Sequence, residues 1–121
     1  MKYVVLKSKI HSATITETSL EYEGSIEIDE DLMKAAGIKE YEKVLVANFT
    51  NGNRYETYVM RGKPKSGTVR VTGGGARYSV VGDKVTIFAF TEIEESESAN
   101  PKIVLLDDKN HVKRILNGHK R

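Results

Sequence analysis

The chain has 121 residues, of which 39% are hydrophobic, and this is enough for one compact core but too few for two independent domains. Its 19 basic and 17 acidic residues are mixed along the chain, a pattern that argues against a nucleic-acid partner. The absence of cysteine excludes disulfides and thiolate zinc sites and favours the cytoplasm. Lys7 and Lys9 interrupt the first apolar run, so neither a signal peptide nor a membrane span is predicted.

In chain order, short runs rich in β-branched and aromatic residues alternate with turn residues, which predicts a small all-β barrel or sandwich. The runs read YVVL, ATIT, SIEI, KVLVANF, RYETYVM, TVRVT, KVTIFAF and KIVLL. The segment TNGN predicts a tight hairpin, since Asn and Gly tolerate the positive φ angles of such turns. One helix is predicted at 29–37, where Asp29 caps the first turn and Gly37 ends the last. A single domain is predicted over residues 1–121. In it the charged connector EIEESESANPK leads to a last strand and tail, and residues 96–121 are predicted to be peripheral.

The pair Gly24–Ser25, within the run EYEGSIEI, admits two interpretations. The ordinary one is a tight turn between two strands, because Gly and Ser are common turn residues. In the other, the Ser25 hydroxyl attacks the peptide carbonyl immediately before it. Gly24 suits that attack because it has no Cβ to block the approach and can adopt backbone angles that other residues avoid. The residues alone leave both interpretations open.

The histidines do not predict a metal site, and the lysines near the amino terminus have an ordinary surface interpretation. His11, His111 and His119 lack the spacing of metal ligands, and no cysteine supplements them. Lys7, Lys9 and His11 alternate along the first predicted strand, which is typical of a solvated strand face.

Two further stretches also have ordinary surface interpretations. The run TGGGAR at 72–77 is a flexible turn or a small-anion cradle, because it lacks the Lys-Ser/Thr ending of a P-loop. In RYETY, Arg54 and Tyr58 lie on one face of an ideal strand and Thr57 lies on the other. A site that uses all three therefore needs a strand end or a bulge between them.

Six short motifs occur together in one order, and they carry a family resemblance. They are KIH at 9–11, YEGS at 22–25, AAGI at 35–38, TNGNR at 50–54, TY at 57–58 and VGD at 81–83. In this order and spacing the chain resembles the aspartate 1-decarboxylases, small bacterial pyruvoyl enzymes of the pantothenate pathway. The resemblance runs from about residue 1 to residue 95 and fades in the tail. It implies a double-psi β-barrel with one or two short helices, and homotetramers whose sites lie between neighbouring subunits.

The resemblance also implies a role for the Gly24–Ser25 pair. Similar proteins are made as inactive precursors in which the serine hydroxyl, here that of Ser25, attacks the carbonyl of the preceding glycine, here Gly24. Cleavage then gives a β chain of residues 1–24 and an α chain of residues 25–121. Elimination and loss of ammonia convert Ser25 into a covalent pyruvoyl group. This cofactor forms a Schiff base with L-aspartate and accepts electrons during its decarboxylation to β-alanine and CO2.

The family's functional residues carry over to matching positions in this chain. Tyr58 matches the proton donor, Arg54 matches the arginine that binds the substrate carboxylate, and Lys9 supplies a second cation. Thr57 matches a residue that binds substrate and supports the carbonyl oxygen during processing. Three consecutive substrate-binding backbone positions and two supporting side chains complete the set: Gly73, Gly74, Gly75, His11 and Thr72.

The chain departs from the family pattern at a few positions of the expected site. Thr72 stands where the family usually has asparagine, and Ala47 stands where it usually has an aromatic residue. Gly74 and Gly75 replace alanines. Thr72 keeps a hydroxyl but loses the amide's reach and second donor, so slower self-processing or altered substrate positioning is expected.

Three alternatives remain open at this point. The first is an uncleaved or degenerate barrel without catalysis, or one that awaits a maturation partner such as some relatives require. The second is a nucleic-acid-binding barrel, which would need a clustered basic face that the mixed charges do not predict. The third is the same enzyme acting on a different acidic amino acid, such as glutamate.

Overall fold

The architecture comes from a computed structural model that describes residues 1–20 and 24–118. Within these residues the chain forms nine strands, one α-helix and one 3-10 helix. In chain order they are β1 (Lys2–Thr14), β2 (Glu17–Ser19), β3 (Ser25–Asp29), α1 (Glu30–Ala36), β4 (Lys43–Asn48), β5 (Arg54–Gly62), β6 (Val69–Thr72), the 3-10 helix (Gly73–Tyr78), β7 (Lys84–Glu94), β8 (Lys102–Leu106) and β9 (Val112–Asn117).

The strands form one sheet in the order β2-β6-β3-β5-β4-β7-β1-β8-β9. The pairs β1–β8, β2–β6 and β3–β5 are parallel. The other strand pairs of the described residues are antiparallel. This mainly β architecture, with its few short helices, confirms the predicted all-β fold and is consistent with a barrel.

Alternate residues of the strands fill one hydrophobic core, as the strand pattern predicts. Its buried members from the strands and the β1–β2 connection are Ile10, Ala13, Ile15, Ile26, Ile28, Val44, Val46, Val59, Val69, Val71, Val85, Ile87, Ala89 and Val104. Fully burying a Val or Ile side chain contributes about 1.5–3 kcal/mol relative to leaving it exposed. Because these side chains come from most of the strands, the core fixes the relative positions of β3, β5 and β6.

The predicted helix is confirmed together with both of its caps. The Asp29 carboxylate accepts a hydrogen bond from Asp31 N at 2.8 Å, and Gly37 ends the helix with φ +69°. Asp29 is buried and also accepts hydrogen bonds from Lys65 N at 3.1 Å and from Gly67 N at 2.9 Å. One carboxylate thus holds both the start of α1 and the connection from β5 to β6.

The predicted TNGN hairpin joins β4 to β5, and an Asn–Asp pair clamps it to a second turn. Gly52 has φ +80°, and Asn48 Nδ2 donates to Asp83 Oδ2 at 2.8 Å. Asn48 Nδ2 also donates to Tyr78 O at 3.2 Å, while Asp83 Oδ2 accepts from Val80 N at 2.9 Å. The clamp fixes the end of the 3-10 helix against the hairpin. The VGD motif and the asparagine before TNG therefore have a structural role.

The carboxyl-terminal segment is less peripheral than the sequence predicts. Although the predicted tail begins at residue 96, β8 pairs in parallel with β1 over Ser8–His11 and antiparallel with β9. Ile103 and Val104 of the run KIVLL are buried, and Val104 belongs to the core. The tail therefore contains a strand that packs with the domain, because its apolar residues complete the core beside β1. Residues 119–121, including His119, lie outside the described part of the chain.

Candidate active site

Ser25 is the first residue of β3, and its side chain is enclosed by the fold. It is 2% exposed, and in the parallel pairing of β3 with β5 its Cα partner is Tyr58. Gly24 precedes it with φ +58°, a left-handed conformation that glycine adopts without the steric cost that a Cβ imposes. Residues 21–23 lie outside the described part of the chain, so the predicted turn interpretation stays untested.

Thr57 contacts the carbonyl group that the predicted cleavage requires. Its Oγ1 donates a hydrogen bond to Gly24 O at 2.6 Å. Because Tyr58 pairs with Ser25, the preceding residue of β5 lies next to Gly24. β5 runs from Arg54 to Tyr58 without a register shift in its pairing with β4, so it has no strand end or bulge of the expected kind between these residues.

Thr72 contacts the Ser25 residue at three atoms. Its Oγ1 accepts a hydrogen bond from Ser25 N at 3.1 Å, lies 3.1 Å from Ser25 Oγ, and donates to Ser25 O at 3.2 Å. Thr72 is the last residue of β6 and is 2% exposed. The antiparallel register of β3 and β6, in which Ile26 pairs with Val71, brings the two hydroxyls together.

The glycine run is a 3-10 helix, so the prediction of a flexible turn is wrong. Gly73 has φ +73° and is buried at the start of this helix, directly after Thr72. A Cβ on Gly74 would meet nothing within 4 Å. A Cβ on Gly75 would lie 2.8 Å from Cε2 of the Tyr55 ring, which real Cβ contacts do not tolerate without a shift. The run is therefore packed on one side and open on the other.

Tyr55 packs against the glycine run and was not identified by the sequence analysis. Its ring lies under Gly75 and stacks on Tyr78 with the ring centroids 5.9 Å apart. Burial raises the pKa of the Tyr55 phenol above its ordinary value of 10.0, and the nearby Ser79 hydroxyl lowers it by a smaller amount. Among the described residues, no group completes a hydrogen bond of good geometry with Tyr55 Oη. Tyr55 thus supports the glycine run mainly by packing.

Lys9 and Arg54 form a second group, centred on the ring of Phe88. Lys9 Nζ lies 5.7 Å and Arg54 Cζ 5.6 Å from the Phe88 ring centroid, within the range of cation–π contacts. Strand register places Lys9 directly opposite Phe88. It places Arg54 beside Ala47, whose partner on β7 is Thr86, two residues before Phe88. Among the described residues, neither cation has a carboxylate within ion-pair distance. The sequence did not identify Phe88.

His11 lies at the edge of this second group. Its Nδ1 is 3.4 Å from Thr86 Oγ1, and its ring centroid is 5.8 Å from that of Phe49. Neither contact reaches Ser25 or Thr72. The predicted supporting role of His11 therefore stays a prediction, whereas Thr72 is placed directly beside Ser25.

The two groups do not meet within one chain. Arg54 precedes Tyr58 by four residues on β5, and at about 3.3 Å per residue their Cα atoms are about 13 Å apart. Since Tyr58 pairs with Ser25, a similar distance separates Arg54 from the cleavage position. A cavity of about 290 Å³ opens beside Tyr58 and is lined by Lys43, Glu56, Thr57 and Tyr58.

Among the described residues, no group of three or more His, Cys, Asp or Glu side chains is arranged to hold a metal ion. None of the helices in the described ranges is long and apolar enough to cross a membrane.

Comparison with known proteins identifies the family. The sequence model described as aspartate decarboxylase matches residues 1–113. The chain is 54% identical over 113 residues to the aspartate 1-decarboxylase of Caldicellulosiruptor bescii, which covers 92% of this chain and 88% of the relative. It is 47% identical to the aspartate 1-decarboxylase of Ruminiclostridium cellulolyticum, over 99% of this chain and 95% of the relative. It is also 47% identical to that of Ralstonia nicotianae, over 95% of this chain and 98% of the relative. The chain therefore belongs to the aspartate decarboxylase family, whose members are carboxy-lyases.

Proposed function

We propose that this chain is a precursor that cleaves itself between Gly24 and Ser25, and that the product decarboxylates L-aspartate to β-alanine and CO2. The observation that carries the proposal is the pair of threonine hydroxyls at this peptide bond. Thr57 Oγ1 lies 2.6 Å from Gly24 O, and Thr72 Oγ1 lies 3.1 Å from both Ser25 N and Ser25 Oγ. Family membership supplies the reaction class.

In the first step the Ser25 hydroxyl attacks the carbonyl carbon of Gly24. The carbonyl oxygen becomes negatively charged, and the hydrogen bond from Thr57 stabilises that charge as it develops. The carbon–nitrogen bond then breaks and leaves an ester between Gly24 and Ser25 Oγ. Because both reacting residues are fixed at the start of β3, little entropy is lost on reaching the reactive geometry.

A pyruvoyl group derived from Ser25 would supply the electron-accepting carbonyl that amino-acid decarboxylation needs. Thr72, whose Oγ1 contacts the backbone and the side chain of Ser25, would hold this group. Tyr58 pairs with Ser25 across β3 and β5 and lines the adjacent cavity. Its phenol therefore serves as the proton donor to the substrate Cα after CO2 leaves.

Lys9 and Arg54 bind the side-chain carboxylate of aspartate in this proposal. The two cations share the Phe88 ring and have no carboxylate partner among the described residues, which favours an added anion. Because about 13 Å of β5 separates Arg54 from Tyr58, the cations of one subunit complete the site of a neighbour. The homotetramer that the resemblance implies would bring them together.

Exposed apolar side chains support this association. Tyr41 is 68% exposed, Phe49 55%, Val80 67% and Val81 58%. Large apolar side chains that are exposed in a single chain are candidates for burial between subunits. We propose that the protein acts in the cytoplasm. There the β-alanine that it produces would supply pantothenate and coenzyme A synthesis.

The test begins with the intact mass of the purified, denatured protein. The proposal requires two chains, residues 1–24 and residues 25–121, the larger one lighter by one ammonia than a fragment that starts with serine. The Ser25→Ala variant is the control and stays whole. A wild-type chain that remains whole after prolonged warming would overturn self-cleavage and favour the uncleaved alternative.

The second test defines the substrate of the cleaved protein. It is incubated separately with L-aspartate and L-glutamate, and β-alanine and γ-aminobutyrate are measured. β-Alanine as the main product supports the proposal, whereas γ-aminobutyrate as the main product would assign the site to glutamate. Size-exclusion chromatography with light scattering on the same sample gives the number of subunits.

A further inference from the structure

The Thr72 hydroxyl bridges the atom that loses a proton and the atom that gains one in the proposed cleavage. Its Oγ1 lies 3.1 Å from Ser25 Oγ and accepts a hydrogen bond from Ser25 N at 3.1 Å. In the acyl shift, Ser25 Oγ must lose its proton to become an ester oxygen, and Ser25 N must gain one to leave as an amine. Both atoms belong to the same residue, and one oxygen contacts both.

Hydrogen-bond valence fixes the proton positions in the uncleaved chain. A threonine hydroxyl has one proton and two acceptor lone pairs. Thr72 Oγ1 contacts Ser25 N, Ser25 Oγ and Ser25 O, the last at 3.2 Å. All three contacts are hydrogen bonds only when Thr72 donates to Ser25 O and accepts from the other two atoms. The Ser25 hydroxyl proton then lies on the line to Thr72.

We propose that Thr72 is a catalytic residue of self-cleavage and relays the Ser25 hydroxyl proton to the Ser25 nitrogen. As Ser25 Oγ bonds to the Gly24 carbonyl carbon, its proton passes to Thr72 Oγ1. In the same step the Thr72 hydroxyl turns from Ser25 O towards Ser25 N and gives its own proton to that nitrogen, and the carbon–nitrogen bond then breaks. Thr72 ends as a neutral hydroxyl, and no other reactant is consumed.

The fold holds Thr72 in the position that this relay needs. Thr72 is 2% exposed, so bulk water does not compete for its contacts. Its strand pairs with β3 on one side, and Ser19 of β2 is its Cα partner on the other. A β-branched side chain has few accessible χ1 rotamers, which limits the entropy that ordering Thr72 costs.

The asparagine that usually stands here in the family cannot act in this way. An amide accepts through oxygen and donates through nitrogen, so no single atom of it can take one proton and release another. A hydroxyl does both at the same oxygen. The inference therefore concerns this chain, in which threonine occupies the position, and it rests on the proposed self-cleavage.

The test compares cleavage rates of freshly purified precursors by intact mass after warming. Thr72→Val keeps the shape of the side chain and removes the hydroxyl, and we expect about 100-fold slower cleavage, the scale of general acid–base catalysis. Thr72→Ser keeps the hydroxyl and should cleave within several-fold of the wild-type rate. A Thr72→Val variant that cleaves as fast as wild type would overturn the relay and leave the proposed function intact.

The chain offers a matched control in Thr16. Its Oγ1 accepts from Val69 N at 2.9 Å and donates to Val69 O at 3.0 Å, so it bridges one residue's backbone as Thr72 does, away from the cleavage position. Thr16→Val should therefore cleave at the wild-type rate. Slowing of Thr16→Val equal to that of Thr72→Val would mean that lost backbone support explains both, and the relay would be overturned.

A measurement on the wild-type chain keeps the inference testable if Thr72→Val fails to fold. Cleavage rates are measured in mixtures of H2O and D2O. Since both protons move in the same step, the rate should fall along a curve as the deuterium fraction rises. A straight line would mean that a single proton moves, which overturns the relay. A wild-type chain that never cleaves overturns the proposed function and the relay together.

Discussion

The surroundings of Ser25 and the surface around Phe88 carry the two halves of the proposed chemistry, and they are built differently. Ser25 and Thr72 are each 2% exposed, and hydrogen bonds within one chain fix them. Lys9 and Arg54 both lie over the ring of Phe88, and no carboxylate of the described residues pairs with them. In the proposed function, self-cleavage therefore uses groups of a single subunit, whereas substrate binding uses groups of two.

The first prediction removes the hydroxyl that faces the Gly24 carbonyl. Thr57→Val should slow self-cleavage about 100- to 1,000-fold, since loss of one donor to a developing oxyanion has this scale. The rate of appearance of the 25–121 chain by intact mass measures the effect. Unchanged cleavage in this variant would mean that the 2.6 Å hydrogen bond between Thr57 and Gly24 has no part in the reaction.

The second prediction separates the two regions. Arg54→Ala should leave self-cleavage at the wild-type rate and lower kcat/KM for L-aspartate by about 100-fold, because a charged partner of the substrate carboxylate is lost. Arg61→Ala is the control, since Arg61 is on the same strand but pairs with Glu40 at 3.4 Å. If Arg54→Ala also blocks cleavage, the two regions act as one, and the comparison fails.

The third prediction concerns the packing between the regions, where Tyr55 follows Arg54 on β5. Gly75→Ala should destabilise the fold by about 1–3 kcal/mol, because the new Cβ meets the Tyr55 ring at 2.8 Å. Gly74→Ala is the matched control. Its Cβ would meet nothing within 4 Å and its φ is not positive, so we expect a gain of about 0.4–1 kcal/mol.

Urea unfolding followed by circular dichroism measures both changes in the glycine run. The two variants should move the unfolding midpoint in opposite directions at a constant m-value. Equal midpoints would mean that the 3-10 helix shifts freely over Tyr55. In that case it would not be a rigid support for Thr72 and Gly73.

Local sequence features predicted the elements, and the resemblance predicted the residues that lie around Ser25. Strand alternation, the Asp29 and Gly37 caps of α1 and the TNGN hairpin each depend on residues that are close together in the sequence. The order of the motifs identified Ser25 and Thr57 as candidate site residues. Neither source could show the three contacts between Thr72 and Ser25, because they depend on the register of β6 against β3.

Phe88 and Tyr55 were missed for a related reason. Phe88 matters only because strand pairing places Lys9 and Arg54 over its ring. Tyr55 matters because the 3-10 helix packs Gly75 against it. The prediction of a flexible turn at 72–77 failed on the same contact, since three adjacent glycines suggest a flexible backbone unless a side chain such as the partly buried Tyr55 ring packs against them.

The last and smallest expected effect is on the free energy of unfolding at alkaline pH, through the Tyr55 ring that packs beneath the glycine run. Burial raises the pKa of Tyr55 in the folded chain above its ordinary value of 10.0, so the folded state binds the phenol proton more tightly than the unfolded state. This contribution to stability is fully present below the unfolded pKa and is lost as pH rises through the folded pKa. Tyr55→Phe removes the proton and also the hydroxyl that lacks a partner among the described residues.

At neutral pH we expect Tyr55→Phe to unfold within about 1 kcal/mol of wild type, because the ring and its contact with Gly75 remain. Above pH 10 the wild type should lose stability faster than the variant. The urea midpoint measured at neutral pH and at several values above 10 follows the difference, and Tyr3→Phe, which removes an exposed phenol, is the control. Parallel curves for wild type and Tyr55→Phe would show that ionisation of the Tyr55 phenol does not disturb the packing of its ring against Gly75. Packing alone would then link β5, which carries Arg54, to the glycine run.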